Sequence, residues 1–395
     1  MLMTVGIRNS FGVVFKSLEG EFGLSRGATS AIFSVAMLLC CVFGVLGGWA
    51  LDRYGARISA FVMGFLTGLS LILTSQANSV WQLYITYSLF LSLGTAAVFA
   101  VVNSTVSRWF TKKRGFALGI ANSGGAVGLV ILAPFTTYLI SSFDWRTAFI
   151  ILGIIVWLIT ACMSVLLKRD PRDMGLLPDG AKTEVAKTDL QTNKSSTQPA
   201  GLSLMEAFRT GNFWFIGFLW LLLSISVQLI MIHTVPHAID MGISPSEAAF
   251  VLSLLGLAAI AGRLVAGRVS DKIGRKIPAI ACALLQVGIL IWLIWIRDLW
   301  MLYIFGILFG FSWGGIGNQI PALIGDIFGL RSIGAITGTL LIGWNLGGAI
   351  GPAIGGFMFD ISGSYFTSFV TAAVSMLIAT LLVALIRKGM DVERS

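Results

Sequence analysis

Charge is scarce in this chain. Only 11% of its 395 residues are Asp, Glu, Lys or Arg, against about 25% in a soluble domain. Proline is sparse too, with nine residues. The four cysteines, Cys40, Cys41, Cys162 and Cys282, all lie in apolar runs without metal-ligand spacing. They read as small buried hydrophobes, which excludes a disulfide framework or a thiolate metal site. The apolar runs hold no cluster of His, Cys, Asp and Glu, and the chain has no phosphate-binding loop and no separate soluble domain. An embedded enzyme lacks its parts here, so no catalytic residue, metal or cofactor is expected.

What the chain has is apolar length. It is 56% hydrophobic with a mean hydropathy of +0.89. Uncharged runs recur at lengths near the 20 or so residues that cross about 30 Å of hydrocarbon. The first half carries spans over about 28–50, 58–74, 81–106, 115–140 and 145–167. The second carries about 213–236, 248–269, 277–296, 300–324, 333–359 and 366–386. An opening stretch from Met1 to Lys16 is apolar except for Arg8 and Asn9. At 16 residues it reaches about 24 Å, short for a crossing, and it lacks the basic region of a signal peptide. It reads as a first helix that is incomplete at its N-terminus. The expected fold is an all-α membrane protein of twelve transmembrane helices in two six-helix bundles. Residues 1–167 form the first bundle, 168–210 a linker, and 211–395 the second bundle with a short tail. Residues 180–200 are rich in Ser, Thr, Lys and Gln without apolar periodicity, and read as mobile.

The basic residues take sides. Twenty-one of the 27 Lys and Arg fall in the loops after spans 2, 4, 6, 8 and 10 and in the C-terminal tail. Four, Lys16, Arg26, Arg146 and Arg297, fall on the other side, and Arg8 and Arg263 lie inside spans. The net charge of +9 therefore orients the chain in a lipid bilayer rather than marking a nucleic-acid surface. Linker and both termini are expected in the cytoplasm, the protein multi-pass in the cell inner membrane. No obligate protein partner is evident.

The halves repeat. Gly48, Asp52, Arg53, Gly55 and Arg57 recur as Gly267, Asp271, Lys272, Gly274 and Lys276, an offset of 219 residues. Asn122-Ser-Gly124-Gly125-Ala126-Val-Gly128 recurs as Asn345-Leu-Gly347-Gly348-Ala349-Ile-Gly351. Because six is an even number of spans, the halves share one orientation, as in parallel-repeat carriers. The loop glycines suit tight turns, and the adjacent aspartates suit helix-end amides or basic partners. The Gly-x-x-x-Gly pairs Gly44/Gly48, Gly124/Gly128 and Gly306/Gly310 read as close helix contacts.

Arg263 is the residue of most interest. It follows the uncharged run 248–262 and lies eight residues before the charged loop at Asp271, about 12 Å inward along a helix. A charge at that depth is costly and reads as functional; no Asp or Glu stands in any span at comparable depth. Its planar fork suits a carboxylate. The alternatives are an arginine that snorkels to the surface or one paired internally. His233 and His237 lie near the outer end of span 7, where interfacial histidines are the default.

Gly-x-x-x-Asp-Arg-x-Gly-x-Arg over 48–57 resembles the loop signature of the major facilitator superfamily. Arg8-Asn9-Ser10-Phe11-Gly12-Val13-Val14-Phe15 resembles the first helix of its monocarboxylate transporters. Arg263 falls where these, and the related oxalate–formate antiporters, carry a substrate-binding arginine. Arg169-Asp170-Pro171 resembles the bacterial members. The resemblance implies a secondary transporter that moves a small monocarboxylate, of lactate or pyruvate type, together with a proton, by alternating access. It adds Asn9, Arg8, Asn318, Ser312 and Trp344 to Arg263 as binding candidates. Ser92, Thr95, Asn103, Ser224, Ser226, Gln228, Gln319, Asn122 and Asn345 are further cavity-lining or helix-bonding polar residues. Two departures matter. Asn9, with Arg8 beside it, stands where the eukaryotic carriers have a lysine, and Ala259 where they have an aspartate. The oxalate carriers use a second cation in the eleventh helix, but 333–359 has none, which favours a monoanion. Anion exchange, or a carboxylate sensor on the same scaffold, stays open.

Overall fold

A computed structural model describes residues 1–110, 114–167, 201–329 and 332–386, and within them every side chain except those of residues 52 and 114–116. Residues 168–200 of the expected linker 168–210, with Arg169-Asp170-Pro171 among them, Lys112, Lys113 and the tail from 387 lie outside the described residues. Helices account for nearly all the rest. Among the described residues, eleven are long and apolar enough to cross a membrane, from Arg26–Leu51 to Phe366–Leu385. Their bounds follow the runs read from the sequence.

The N-terminal stretch is longer than expected. Helices Leu2–Asn9 and Phe11–Phe22 meet at Ser10, whose φ of −85° and ψ of 6° interrupt the regular path. Helix continues past Lys16 because the charges there are paired. Lys16 Nζ lies 3.2 Å from Glu19 and 2.9 Å from Asp240. The span Val80–Trp109 is also irregular, with a π-helical stretch over Tyr84–Leu89.

The repeat is visible in the backbone. Gly55 (φ 81°, ψ 169°) and Gly274 (φ 85°, ψ 160°) turn the chain in nearly the same conformation, one that residues with a Cβ rarely adopt. The helix carrying Arg263, Pro245–Ile273, is defined at both ends. Ser244 and Glu247 form a reciprocal capping box with Pro245 at the first helical position, and Gly274 ends it.

Glycine sets how closely the helices pack. On Leu299–Phe328, a Cβ at Gly306, Gly310 or Gly314 would run into the carbonyl oxygens of Val251, Leu255 and Ala259 on the Arg263 helix. Gly262 meets Phe311 the same way. On Ile333–Ser362, Gly343, Gly347 and Gly351 face the carbonyls of Gly217, Leu221 and Ile225. In lipid no hydrophobic effect drives helices together, so close contact through small residues has to. Gly124 and Gly128 likewise receive Met1 and Leu2. The pair Gly44/Gly48 does not act this way among the described residues. Gly48 has no neighbour within 4 Å, and Gly47, beside Ala97, makes the tight contact.

Two compact units result. One gathers Met1–Arg8, Leu39–Gly128 and the described residues from Leu139 to Leu167, around Val5, Leu51, Met63, Val98 and Val101. The other gathers Asn9–Leu38, Leu129–Tyr138 and the described residues from 201 to 386. Two stretches of the N-terminal half thus group with the C-terminal helices.

Gly310→Leu is expected to force the two backbones apart and lower stability by about 1–3 kcal/mol. Gly48→Ala, in open space, should leave it unchanged. Thermal unfolding of the purified protein in detergent reads the contrast, and equal melting temperatures would remove the packing argument.

Candidate functional site

Arg263 lies ten residues before the end of its helix, about 15 Å inward by helical rise. Ala259 and Gly262 press against Gly314 and Phe311 of the neighbouring helix, which fixes how the Arg263 helix is rotated. Arg263, one residue beyond Gly262, is turned about 100° from that contact. Its side chain is half-buried, with the guanidinium carbon 5.7 Å from the centroid of the Trp313 ring. That is within cation–π range. Such a group offers a planar, permanently charged fork beside an aromatic face, a suitable seat for a carboxylate.

The remaining candidates divide. Ser312 is buried and its hydroxyl donates to Phe309 O at 2.9 Å, within its own helix. Asn318 is exposed one helical turn beyond Gly314, with its amide nitrogen near Gly267. The Trp344 ring meets Trp220 edge-on at 5.3 Å, and its carbonyl accepts the Ser224 hydroxyl at 2.6 Å. Ser92 and Thr95 bond carbonyls of their own helix, and Asn122 donates to Asn103 at 3.1 Å. Ser226 Oγ and both polar atoms of Gln319 are buried without a hydrogen-bond partner.

Arg8 and Asn9 are buried where the first helix is interrupted at Ser10. Arg8 is 7% exposed. Its guanidinium neighbours the Cys40 thiol and the buried Tyr87 hydroxyl, and its Nε has no hydrogen-bond partner. Tyr87 belongs to the π-helical stretch. A broken helix and a π segment thus meet at one buried cation, features that often mark binding sites. Sequence reasoning missed Tyr87, which gives no signal within an apolar run.

In the loop motifs, Arg53 and Arg57 are exposed, and Arg53 stacks near Trp49 and Tyr54. The side chain of Asp52 lies outside those described. Asp271 pairs with Arg275 at 3.0 Å rather than with helix-end amides, and Lys272 is exposed. Lys276 caps the last helix by donating to the carbonyls of Ala384 and Ile386 at 2.7 Å each.

A further polar assembly was not foreseen. It lies at the helix ends opposite the basic loops, inside the second unit. Arg26, 5% exposed, donates through Nη2 to Asp240 at 2.8 Å and through Nη1 to the Tyr365 hydroxyl at 2.7 Å, and Nη1 forms an ion pair with Asp240 at 2.5 Å. Its guanidinium lies 3.7 Å from the Phe359 centroid and 3.3 Å from Glu19. Asp360 accepts the backbone amides of Arg26 and Gly27, at 2.9 and 2.8 Å. A Cβ at Gly27 would lie 2.7 Å from that carboxylate, and one at Gly356 would meet Arg26 O. Burial holds the Tyr365 hydroxyl well above its ordinary value, against the opposing pull of Arg26, so it stays protonated. His233, expected at an interface, is fully buried here. The available signal was the position of Arg26 among the few cations on the sparse side, with Asp240 and Asp360 at the ends of spans 7 and 11.

Arg26→Gln leaves Glu19 and Asp240 to Lys16 alone and is expected to lower stability by roughly 1–3 kcal/mol. Thermal unfolding tests this. An unchanged melting temperature would mean the network contributes no stability.

The Major Facilitator Superfamily model matches residues 1–316 and again 223–395. Monocarboxylate transporter 12 of Xenopus laevis is 25% identical over 97% of this chain and 85% of its own. Monocarboxylate transporter 12-B of Danio rerio is 28% identical over 97% and 84%, and human monocarboxylate transporter 11 is 27% identical over 93% and 76%. Among solved structures, a bacterial homolog of the human lysosomal transporter Spinster, inward-facing and occupied, superposes with a TM-score of 0.75 at 18% identity. It covers 98% of this chain and 94% of its own, and supports the fold alone. Eleven helices long and apolar enough to span among the described residues, the repeated Gly55 and Gly274 turns and a family match along the whole length agree: the chain belongs to the Major Facilitator Superfamily and is related to its monocarboxylate transporters.

Proposed function

We propose that this protein is a secondary transporter for a small monocarboxylate of the lactate or pyruvate type. It moves the anion with a proton, by alternating access of two six-helix bundles, 1–167 and 211–395. The observation that carries this reading is Arg263, a guanidinium in the interior of a spanning helix, beside the Trp313 face. The names of its relatives support the substrate class. A carboxylate against that fork forms charge-assisted bonds, two of them if bidentate. The neutral pair crosses a low-dielectric interior at lower cost than the cation alone. Arg8, buried with an unbonded Nε, is a second anion-attracting group. Termini and linker lie in the cytoplasm of a cell whose inner membrane holds the protein, as the sided Lys and Arg imply.

A second reading, anion exchange, has one observation in its favour. Ala259, where the resemblance leads one to expect an acid, is buried in the contact with Gly314. No carboxylate carries a proton beside Arg263 from that position. The two readings differ in a pH gradient. Proteoliposomes with an acidic exterior accumulate labelled lactate if the proton travels with it and do not if the protein exchanges anions.

Arg263→Gln is expected to reduce lactate uptake at least a hundredfold with folding intact. Arg263→Lys, which keeps the charge and loses the fork, should recover only a small part. Full uptake in Arg263→Gln would sink the clamp.

A further inference from the structure

The buried surroundings of His233 define its protonation state. Nε2 lies 3.0 Å from Pro352 O and 3.3 Å from Ser30 Oγ. The carbonyl only accepts, and the Ser30 hydroxyl spends its hydrogen on Arg26 O at 2.7 Å. Nε2 is therefore the donor. On the other side, Nδ1 lies 3.2 Å from the Tyr365 hydroxyl. That oxygen already receives Arg26 Nη1 at 2.7 Å, so its own hydrogen points to Nδ1. Every group is satisfied by a neutral imidazole, and by that tautomer alone. A second proton, on Nδ1, sets two hydrogens against each other and places an imidazolium in the same closed assembly as the Arg26 guanidinium.

The site is closely built. A Cβ at Gly355 would lie 2.6 Å from the imidazole, and Phe15 presents its ring to His233 at 5.5 Å between centroids. The charged and titratable groups around it are Arg26 from the second span, Tyr365 before the last, and Asp360 from the eleventh. Lys16 and Glu19 come from the first helix, and His237 and Asp240 from its own. Lys16, Glu19, Arg26 and Asp240 already pair with one another, and Asp360 accepts the backbone amides of Arg26 and Gly27.

We propose that His233 is a proton-binding site coupled to the Arg26 latch, taking its proton from the aqueous phase opposite the basic loops. The latch closes over the neutral imidazole and opens when Nδ1 is protonated. By linkage, closing the latch expels the proton with the same coupling factor. The proposal rests on the proton-coupled reading above and supplies the titrating group that Ala259 does not, but it is independent of which carboxylate is carried.

The test needs no substrate. Ser30→Cys, buried in the closed latch, is exposed to a membrane-impermeant thiol reagent in liposomes, with the unsubstituted chain as background. Labelling, divided at each pH by that of the same chain unfolded in denaturant so that the loss of thiolate in acid cancels, should rise at least tenfold as the pH falls from about 8 to about 5, across the ordinary histidine range. In Ser30→Cys/His233→Gln that rise should vanish. Normalised rates independent of pH, or the same rise without the imidazole, would overturn the proposal, the latter assigning the effect to His237 or to Glu19, Asp240 and Asp360. Should the double variant fail to fold, nitrogen-15 histidine spectra of the intact chain decide. There are only two histidines to resolve, and His237→Gln assigns them. Nδ1 bare at neutral pH and protonated in step with labelling supports the coupling; Nδ1 protonated while Ser30→Cys stays unlabelled contradicts it. Failure of lactate transport in wild-type liposomes leaves these outcomes unaffected and bears on the substrate reading alone.

Discussion

Backbone-to-backbone approach between helices is the constraint on which the rest of this structure depends. Apolar side chains are as content in lipid as against each other, so burial does not bring spans together as it does in water. Gly306, Gly310 and Gly314 let one helix lie against the carbonyls of the Arg263 helix, and Gly343, Gly347 and Gly351 do the same for the seventh span. These contacts fix helix rotation. Rotation fixes where a polar side chain on the opposite side of the same helix can go.

Two arginines illustrate what that precision allows. Arg263 is held half-buried near Trp313, deep in a span, where a charge is costly unless it has a use. Arg26 is buried at the end of a span and fully engaged, with Asp240, Tyr365, Glu19 and Phe359 around it. The first is suited to an incoming anion. The second ties helix ends into one assembly and explains why Asn9–Leu38 groups with the C-terminal helices.

Much of this was legible in the sequence because it is written in consecutive residues. Apolar runs gave the spans, and the 219-residue offset placed Gly55 and Gly274 in equivalent turns that share one conformation. Arg263 stood out because fifteen uncharged residues precede it. The latch was not legible, because its members come from five separate segments and each alone resembles an ordinary loop charge. Lys16 looked like a helix end; paired with Glu19 and Asp240, it lies inside a helix that continues to Phe22. His233 looked interfacial because its position along the helix was read without the Tyr365 and Pro352 that cover it. Gly44 and Gly48 have the spacing of a contact but not the neighbour, since spacing defines a helix face and not what lies against it.

The central claim is that Arg263 receives a small monocarboxylate. Equilibrium binding of lactate and a matched dicarboxylate to the purified protein, by calorimetry, tests it most directly. The account predicts saturable lactate binding that is tighter than dicarboxylate binding and is abolished in Arg263→Gln. Undiminished binding in that variant, or preference for the dianion, would contradict it.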